Sequence, residues 1–365
     1  MNDFLKLHTA NAVAQIEGYT PGEQPSDGNW VKLNTNEFPY PPSPKVREAI
    51  LDELGGDGAK LRLYPDPISK NLRSKIGKFF GLSAENVIAG NGSDDILNLA
   101  VRAFSDPDKP ILSLDPSYSL YPVLAKIQNS EFIELPFGDS MDIPFEKISS
   151  SRANIFFFTN PNAPTGVGFS KSDVERILNE FGGLVLVDEA YAPFAEFSAS
   201  ELVDKYPNLI VAGTTSKGWG LAGMRIGWGL ANPDIINILD RVRDSYNLDR
   251  LAQAAGMAAF SDNEYYGNLC GIIKDTRDKT ELFFESVGWK YFKSSSNFIL
   301  VTPKNKNGKS GRDVADEFFK YLKSIKILVR YFPNCPAVCD SVRISVGTPE
   351  QMILLQNAVK DWISL

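Results

Sequence analysis

The chain has 365 residues, 43% hydrophobic and 23% charged, enough to bury a large core in two domains. Its 38 Lys and Arg stand against 45 Asp and Glu, a formal net charge of -7, which removes the general electrostatic case for a nucleic-acid partner. The single histidine, His8, lies in the N-terminal segment, which argues against a Ser-His-Asp triad and against a multi-histidine metal centre, while three cysteines without a second ligand pair point to reduced thiols and no metal.

In chain order, the first forty residues carry no basic segment leading into an apolar one. No later stretch is apolar over the length of a membrane span, so a cytoplasmic protein without a membrane partner is expected. Rich in Pro and Gly, this opening segment reads as an irregular arm laid over another surface. Ser43 and Pro44 then cap a helix whose apolar face is Val46, Ile50, Leu51 and Leu54. Leu72, Ile76, Phe79 and Phe80 mark a second helix, and a short strand is predicted at 86–89. The chain next turns through GNGSDD, 90–95, into a helix carrying Ile96, Leu97, Leu99, Ala100 and Phe104. A glycine turn opening a helix offers backbone N–H groups and the positive end of the dipole to an anion; an ordinary N-cap at Ser93 explains the same pattern.

Further apolar runs at 111–114, 132–135, 155–159, 184–187, 209–212 and 226–230 alternate with helical patterns. That alternation is the signature of βα units around a mostly parallel sheet, here of seven strands flanked by helices. Ser170 and Asp173 form a capping box for one of the helices. After Pro233 come two helical patterns and then a long one at 263–287, whose length suits a bridge between domains. Strands near 297–301, 327–331 and 342–346, with helices near 312–322 and 349–362, read as a smaller α/β domain. The predicted division is an arm at 1–40 packing with the small domain, a large domain at 41–260 and a small domain at 261–365.

Ligands of open α/β sheets bind beyond the carboxyl ends of the strands. After the run at 209–212 come Thr214, Thr215, Ser216 and Lys217, then a glycine-rich loop to Arg225. Each residue alone is unremarkable, since most lysines are solvated. Together, a lysine amine with a hydroxyl and a guanidinium suited to a phosphate suggest pyridoxal phosphate held as a Schiff base. Asp188 ends an apolar strand, where an unpaired carboxylate is costly; a protonated pyridine nitrogen would be its cation. Tyr191 can donate to the ring's phenolic oxygen, and Tyr118, in Asp115-Pro116-Ser117-Tyr118, can lie on a planar ring. Core packing is the commoner fate of either tyrosine alone, but not of the set.

The motifs KLNTNEFPYPPSP, RLYPDP, GNGSDD, DPSYSLY, NPNAPTG, VDEAY, TTSKGWGLAGMRIG and VRISVGT resemble, in order, those of histidinol-phosphate aminotransferases, within the fold type I, class I and II enzymes that use pyridoxal phosphate. The resemblance implies that 41–260 is the cofactor-binding domain, with phosphate contacts from Ser93, Asp94, Ser216 and Arg225 and Tyr118 on the ring. It implies a homodimer in which Tyr64 reaches the neighbour's cofactor phosphate. Arg343 matches the arginine that takes a substrate anion, and Arg330, Tyr19 and Asn36 match positions lining the substrate pocket. Catalysis would fall to Lys217, Asp188 and Tyr191. The implied reaction is ping-pong: a phosphorylated amino alcohol, histidinol phosphate, gives its amino group to the cofactor, which passes it to 2-oxoglutarate to form glutamate. Arginines suit both substrates, because a guanidinium pairs with phosphate or carboxylate in one planar geometry.

One position departs from the family. Where an asparagine is expected before Pro-Thr-Gly to reach the cofactor's phenolic oxygen, this chain has Ala163, with Asn162 one place earlier. Either the contact is lost or Asn162 supplies it through a shifted turn. An aromatic or other amino-acid aminotransferase, a decarboxylase of a phosphorylated amino acid, and a binding protein without turnover remain alternatives, the last disfavoured by the intact Lys217, Asp188 and Arg225.

Overall fold

The computed structural model describes residues 2–14, 16, 18, 22–25 and 28–365. Its strands, in chain order, are β1 (Val31–Lys32), β2 (Val87–Asn91), β3 (Ile111–Asp115), β4 (Phe132–Pro136), β5 (Ile155–Thr159), β6 (Leu184–Asp188), β7 (Leu209–Thr214), β8 (Ile226–Ala231), β9 (Lys290–Tyr291), β10 (Phe298–Thr302), β11 (Ile327–Leu328), β12 (Arg330–Tyr331) and β13 (Val342–Ser345). The predicted seven strands form one sheet in the order β2-β8-β7-β6-β5-β3-β4. It is parallel except for β8, which runs antiparallel to both β2 and β7.

Continuous apolar runs are what a sheet covered on both faces requires, because successive side chains alternate between faces. Phe156, Phe158, Val185 and Val187 belong to the core on one face. Ile155, Phe157 and Leu186 belong to the core on the other. A second sheet, β12-β13-β10-β9, is antiparallel and packs Ile299, Val301, Val342 and Ile344 with Trp289 and Phe318 in a separate core. The arm joins this core: β1 pairs in parallel with β11, and Leu33 lies within it. The long helix Asn263–Ser286 has Tyr266 against the large-sheet core and Phe284 inside the small-sheet core.

Several details depart from the sequence reading. The arm carries two short helices, Asp3–His8 and Asn11–Ala14, where irregular chain was expected. The 327–331 strand is broken at Val329, because Ile327–Leu328 pair with β1 while Arg330–Tyr331 pair with β13. On helix Pro44–Leu54 Val46 is buried but Leu51 is 48% exposed, since neighbours such as Ile50 and Leu51 point about 100° apart around a helix and only one can face the core. No helix among the described residues is long and apolar enough to cross a membrane.

Candidate active site

A cavity of about 240 Å³ opens beyond the carboxyl ends of β5, β6 and β7 and the start of helix Ser93–Phe104, with arm residues Asn34 to Glu37 forming part of its wall. Of the predicted site residues it brings together Asn36, Ser93, Asp94, Tyr118, Asp188, Tyr191, Ser216, Lys217, Arg225, Arg330 and Arg343.

At its foot, Asp188 is 3% exposed and held by two neutral donors, the Tyr121 hydroxyl at 2.8 Å and the Ala190 N–H at 3.2 Å. Burial pushes its carboxyl up to about 6, against the pull of those two hydrogen bonds. The Tyr121 hydroxyl also shares a 2.7 Å hydrogen bond with Thr159, which is bonded in turn to Ser117 at 3.0 Å. Burial, and the neighbouring charge of Asp188, push the Tyr121 phenol well above its ordinary range, so it stays a donor. Tyr121 and Thr159 were missed as site residues. DPSYSLY contained the signal, since Tyr118 and Tyr121 stand three apart, but nothing local tells a tyrosine which carboxylate it will meet.

Anion-binding groups gather at one end. Helix Ser93–Phe104 begins at Gly92, whose φ of 85° is in the left-handed region, and no side chain caps its first N–H groups; Ser93 is its first residue and not its cap. Arg225, itself at a left-handed φ of 53°, aims its guanidinium across that start: a Cβ at Gly92 would lie 2.5 Å from Arg225 Nη2. Ser216 Oγ accepts from Arg225 Nη1 at 3.5 Å and from Thr214 Oγ1 at 2.9 Å. The Asp94 carboxylate is engaged by Arg225 at 3.7 Å and the Tyr118 hydroxyl at 3.2 Å, so its offer to an anion is its backbone N–H.

Lys217 Nζ donates to the Thr35 carbonyl at 3.2 Å and lies 5.9 Å from the Tyr191 ring centroid. The Tyr191 hydroxyl accepts from Asn36 Nδ2 at 2.9 Å, which leaves its own proton to donate into the cavity. Asn36 lines the cavity, as expected of a pocket position, and is 1% exposed with its Oδ1 accepting from Ser345 Oγ at 2.9 Å, so its polar groups are turned to Tyr191 and Ser345. Arg330 and Arg343 are direct register partners on β12 and β13, and both guanidiniums lie over Phe332, at 5.4 and 5.3 Å.

Two of the predicted residues are described but do not line this cavity. Asn162 does not supply the missing contact: its amide donates to the Pro116 carbonyl at 3.0 Å and accepts from Thr165 Oγ1 at 2.7 Å, and the residue facing the cavity is Ala163. The cofactor-binding role expected of Asn162 is therefore corrected to one within the turn. Tyr64 is 77% exposed and stacks on Tyr246 at 4.4 Å, away from its own chain's cavity. Tyr19 lies outside the described residues.

The groups present fit pyridoxal phosphate. A buried carboxylate held only by neutral donors would meet a ring cation, an uncapped helix start with Arg225 and Ser216 would meet a phosphate, and the Lys217 amine lines the same cavity.

Residues 28–359 match the family model described as aminotransferase class I and II. Histidinol-phosphate aminotransferases of Rippkaea orientalis and Geobacter sulfurreducens are 39% and 41% identical to this chain, covering 97% and 96% of it and 98% and 97% of themselves. The crystal structure of histidinol-phosphate aminotransferase from Sinorhizobium meliloti in complex with pyridoxal-5'-phosphate superposes with a TM-score of 0.81 at 25% identity, over 91% of this chain and 90% of that one. L-threonine-O-3-phosphate decarboxylase from Porphyromonas gingivalis shares the fold, with a TM-score of 0.77 at 20% identity over 92% of this chain and 99% of that one. The chain is a fold type I enzyme that uses pyridoxal phosphate, and it belongs to the class I and II aminotransferases and, among them, to the histidinol-phosphate aminotransferase family.

Proposed function

We propose that this enzyme moves the amino group of histidinol phosphate to 2-oxoglutarate, as a homodimer in the cytoplasm, with 41–260 as its cofactor-binding domain and 261–365, joined by the arm, as its small domain. The observation that carries the substrate reading is the pair Arg330 and Arg343, adjacent across two strands and facing the cavity that holds Lys217. Two guanidiniums side by side suit a doubly charged phosphate or the second carboxylate of 2-oxoglutarate.

Bound in this cavity, pyridoxal phosphate supplies an electron sink for the substrate's Cα. The chain's own residues do the rest. Asp188 would pair with the ring nitrogen and favour its protonated form, while Tyr121 holds Asp188 in place. Ser93, the Asp94 N–H, Ser216 and Arg225 would hold the phosphate, and Tyr118 would lie on the ring. Tyr191, steadied by Asn36, donates to the phenolic oxygen. Lys217 would hold the cofactor, and its amine is the general base that would carry the proton away from the substrate's Cα. Arg330 and Arg343 orient the substrate's anionic end, which places Cα within reach of Lys217.

A panel of histidinol phosphate, phenylalanine, tyrosine and threonine phosphate, each with 2-oxoglutarate, tests the reading. Histidinol phosphate should give the highest kcat/KM and glutamate should accumulate. Faster turnover of an aromatic amino acid, or carbon dioxide release from threonine phosphate, would replace the proposal.

A further inference from the structure

Asp188 and Glu189 are neighbours at the end of β6, so their side chains leave opposite faces of the sheet. Both are buried carboxyls, 3% and 5% exposed. Asp188 faces the active-site cavity, and Glu189 lines a second cavity of about 220 Å³ on the other face. The two cavities share Thr214 in their walls.

The second cavity is walled by Phe79, Trp219, Trp228 and Tyr266. The Trp219 ring stacks on Tyr266 at 4.2 Å and meets Trp228 edge-on at 5.4 Å, so the aromatic wall is continuous. Glu189 is held by the Ser198 hydroxyl at 2.6 Å and the Ala199 N–H at 2.5 Å, both neutral. Burial pushes its carboxyl up to about 7, and the charges acting on it are those of other acids, Asp188 and Glu201. An acid with no countercharge beside an aromatic wall is costly to ionise. It is also the combination that recognises an organic cation, through the ring quadrupoles together with one negative charge.

We propose that this second cavity binds a compact organic cation, held against the aromatic rings and neutralising Glu189. It is the counterpart, on the opposite face of β6, of the pairing that completes Asp188. The site does not depend on which amino donor the enzyme uses, so it stands or falls apart from the substrate proposal.

The probe is tetramethylammonium chloride, titrated into the cofactor-loaded enzyme and followed by tryptophan fluorescence, with potassium chloride matching ionic strength and tert-butanol as a neutral compound of similar shape. A saturable response in the millimolar range is expected for tetramethylammonium alone, with no change in the cofactor's visible absorbance, which separates this cavity from the active site. Glu189→Gln should weaken the response by roughly tenfold or more. Equal responses to tert-butanol and tetramethylammonium, no saturation, or undiminished binding by Glu189→Gln would each overturn the proposal. Should that variant fail to fold, the comparison of charged and neutral probes on the native enzyme still decides.

Discussion

The buried Asp188 carboxyl, raised from 3.8 to about 6, binds its proton more tightly in the folded chain than in the unfolded one. Its contribution to stability is therefore fully present below about pH 4 and is lost as pH rises through about 6, a loss of about 3 kcal/mol. Asp188→Asn should remove most of that fall in the cofactor-free protein. Urea melts of both proteins at about pH 5 and pH 8 check this, and equal pH dependence would show that Asp188 is not the group responsible. Tyr121→Phe should cost about 1.5–3 kcal/mol at pH 8, where Asp188 is ionised, and less at pH 5, because the lost hydroxyl served the charged form. On the proposed reading, Tyr191 is the strong side-chain donor to the cofactor's phenolic oxygen, since Ala163 has no donor and the Asn162 amide is committed to Pro116 and Thr165. Introducing a second donor with Ala163→Asn should lower the pH midpoint of the bound cofactor's visible absorbance, by up to about one unit. A midpoint that moves with Asn162→Ala but not with Ala163→Asn would instead restore the role first expected of Asn162.

Among the elements, β8 does most to assemble the phosphate end. Inserted antiparallel between β2 and β7, it brings Arg225, at its start, against the turn that opens helix Ser93–Phe104. The approach is close: a Cβ at Gly227 would lie 2.2 Å from Gly92 C and 2.5 Å from Ser93 N. Gly227→Ala must therefore push the helix start off the strand, at about 1–3 kcal/mol or more in stability. Cofactor affinity should fall with it, measured by equilibrium titration of the cofactor-free protein. Native affinity in a folded Gly227→Ala protein would mean that the helix start does not hold the phosphate. The capping box on helix Lys171–Glu180, by contrast, does not line the cavity and has both reciprocal bonds in place. Ser170→Ala should cost about 1 kcal/mol and leave turnover unchanged.

At the scale of the whole molecule, the loop that carries Tyr64 exposes an apolar surface: Leu61 and Leu63 are 52% exposed, Ile68 46% and Tyr64 77%. That surface suits the proposed homodimer, in which Tyr64 serves the neighbour's site. Mixing Tyr64→Phe chains with Lys217→Ala chains tests it. In a hybrid dimer, one site would combine an intact Lys217 with an intact Tyr64 from the other chain and regain native cofactor affinity. If Tyr64 acted within its own chain, no hybrid site could recover, and failure to see recovery would reject the cross-subunit role. The same experiment in a size-exclusion column reports the oligomeric state directly.

The seven strands of the large sheet, the capping box, the long helix after Asn263 and the gathering of Lys217, Asp188, Ser216 and Arg225 in one cavity were legible in the sequence. Each rests on apolar periodicity, cap residues or functional groups close together in the chain, and those are properties that neighbouring residues decide between themselves. What joins the site across the chain was not legible. The Tyr121 hydroxyl meets Asp188 from 67 residues away, and Asn36 meets Tyr191 across 155. The antiparallel placement of β8, the break at Val329 that sets Arg330 beside Arg343, and the inward turn of Asn162 are likewise outcomes of packing. Sequence names the groups able to do the chemistry. Which of two buried polar groups pair is settled only when the whole core closes, because a hydrogen bond between distant residues forms where apolar packing happens to leave both without water.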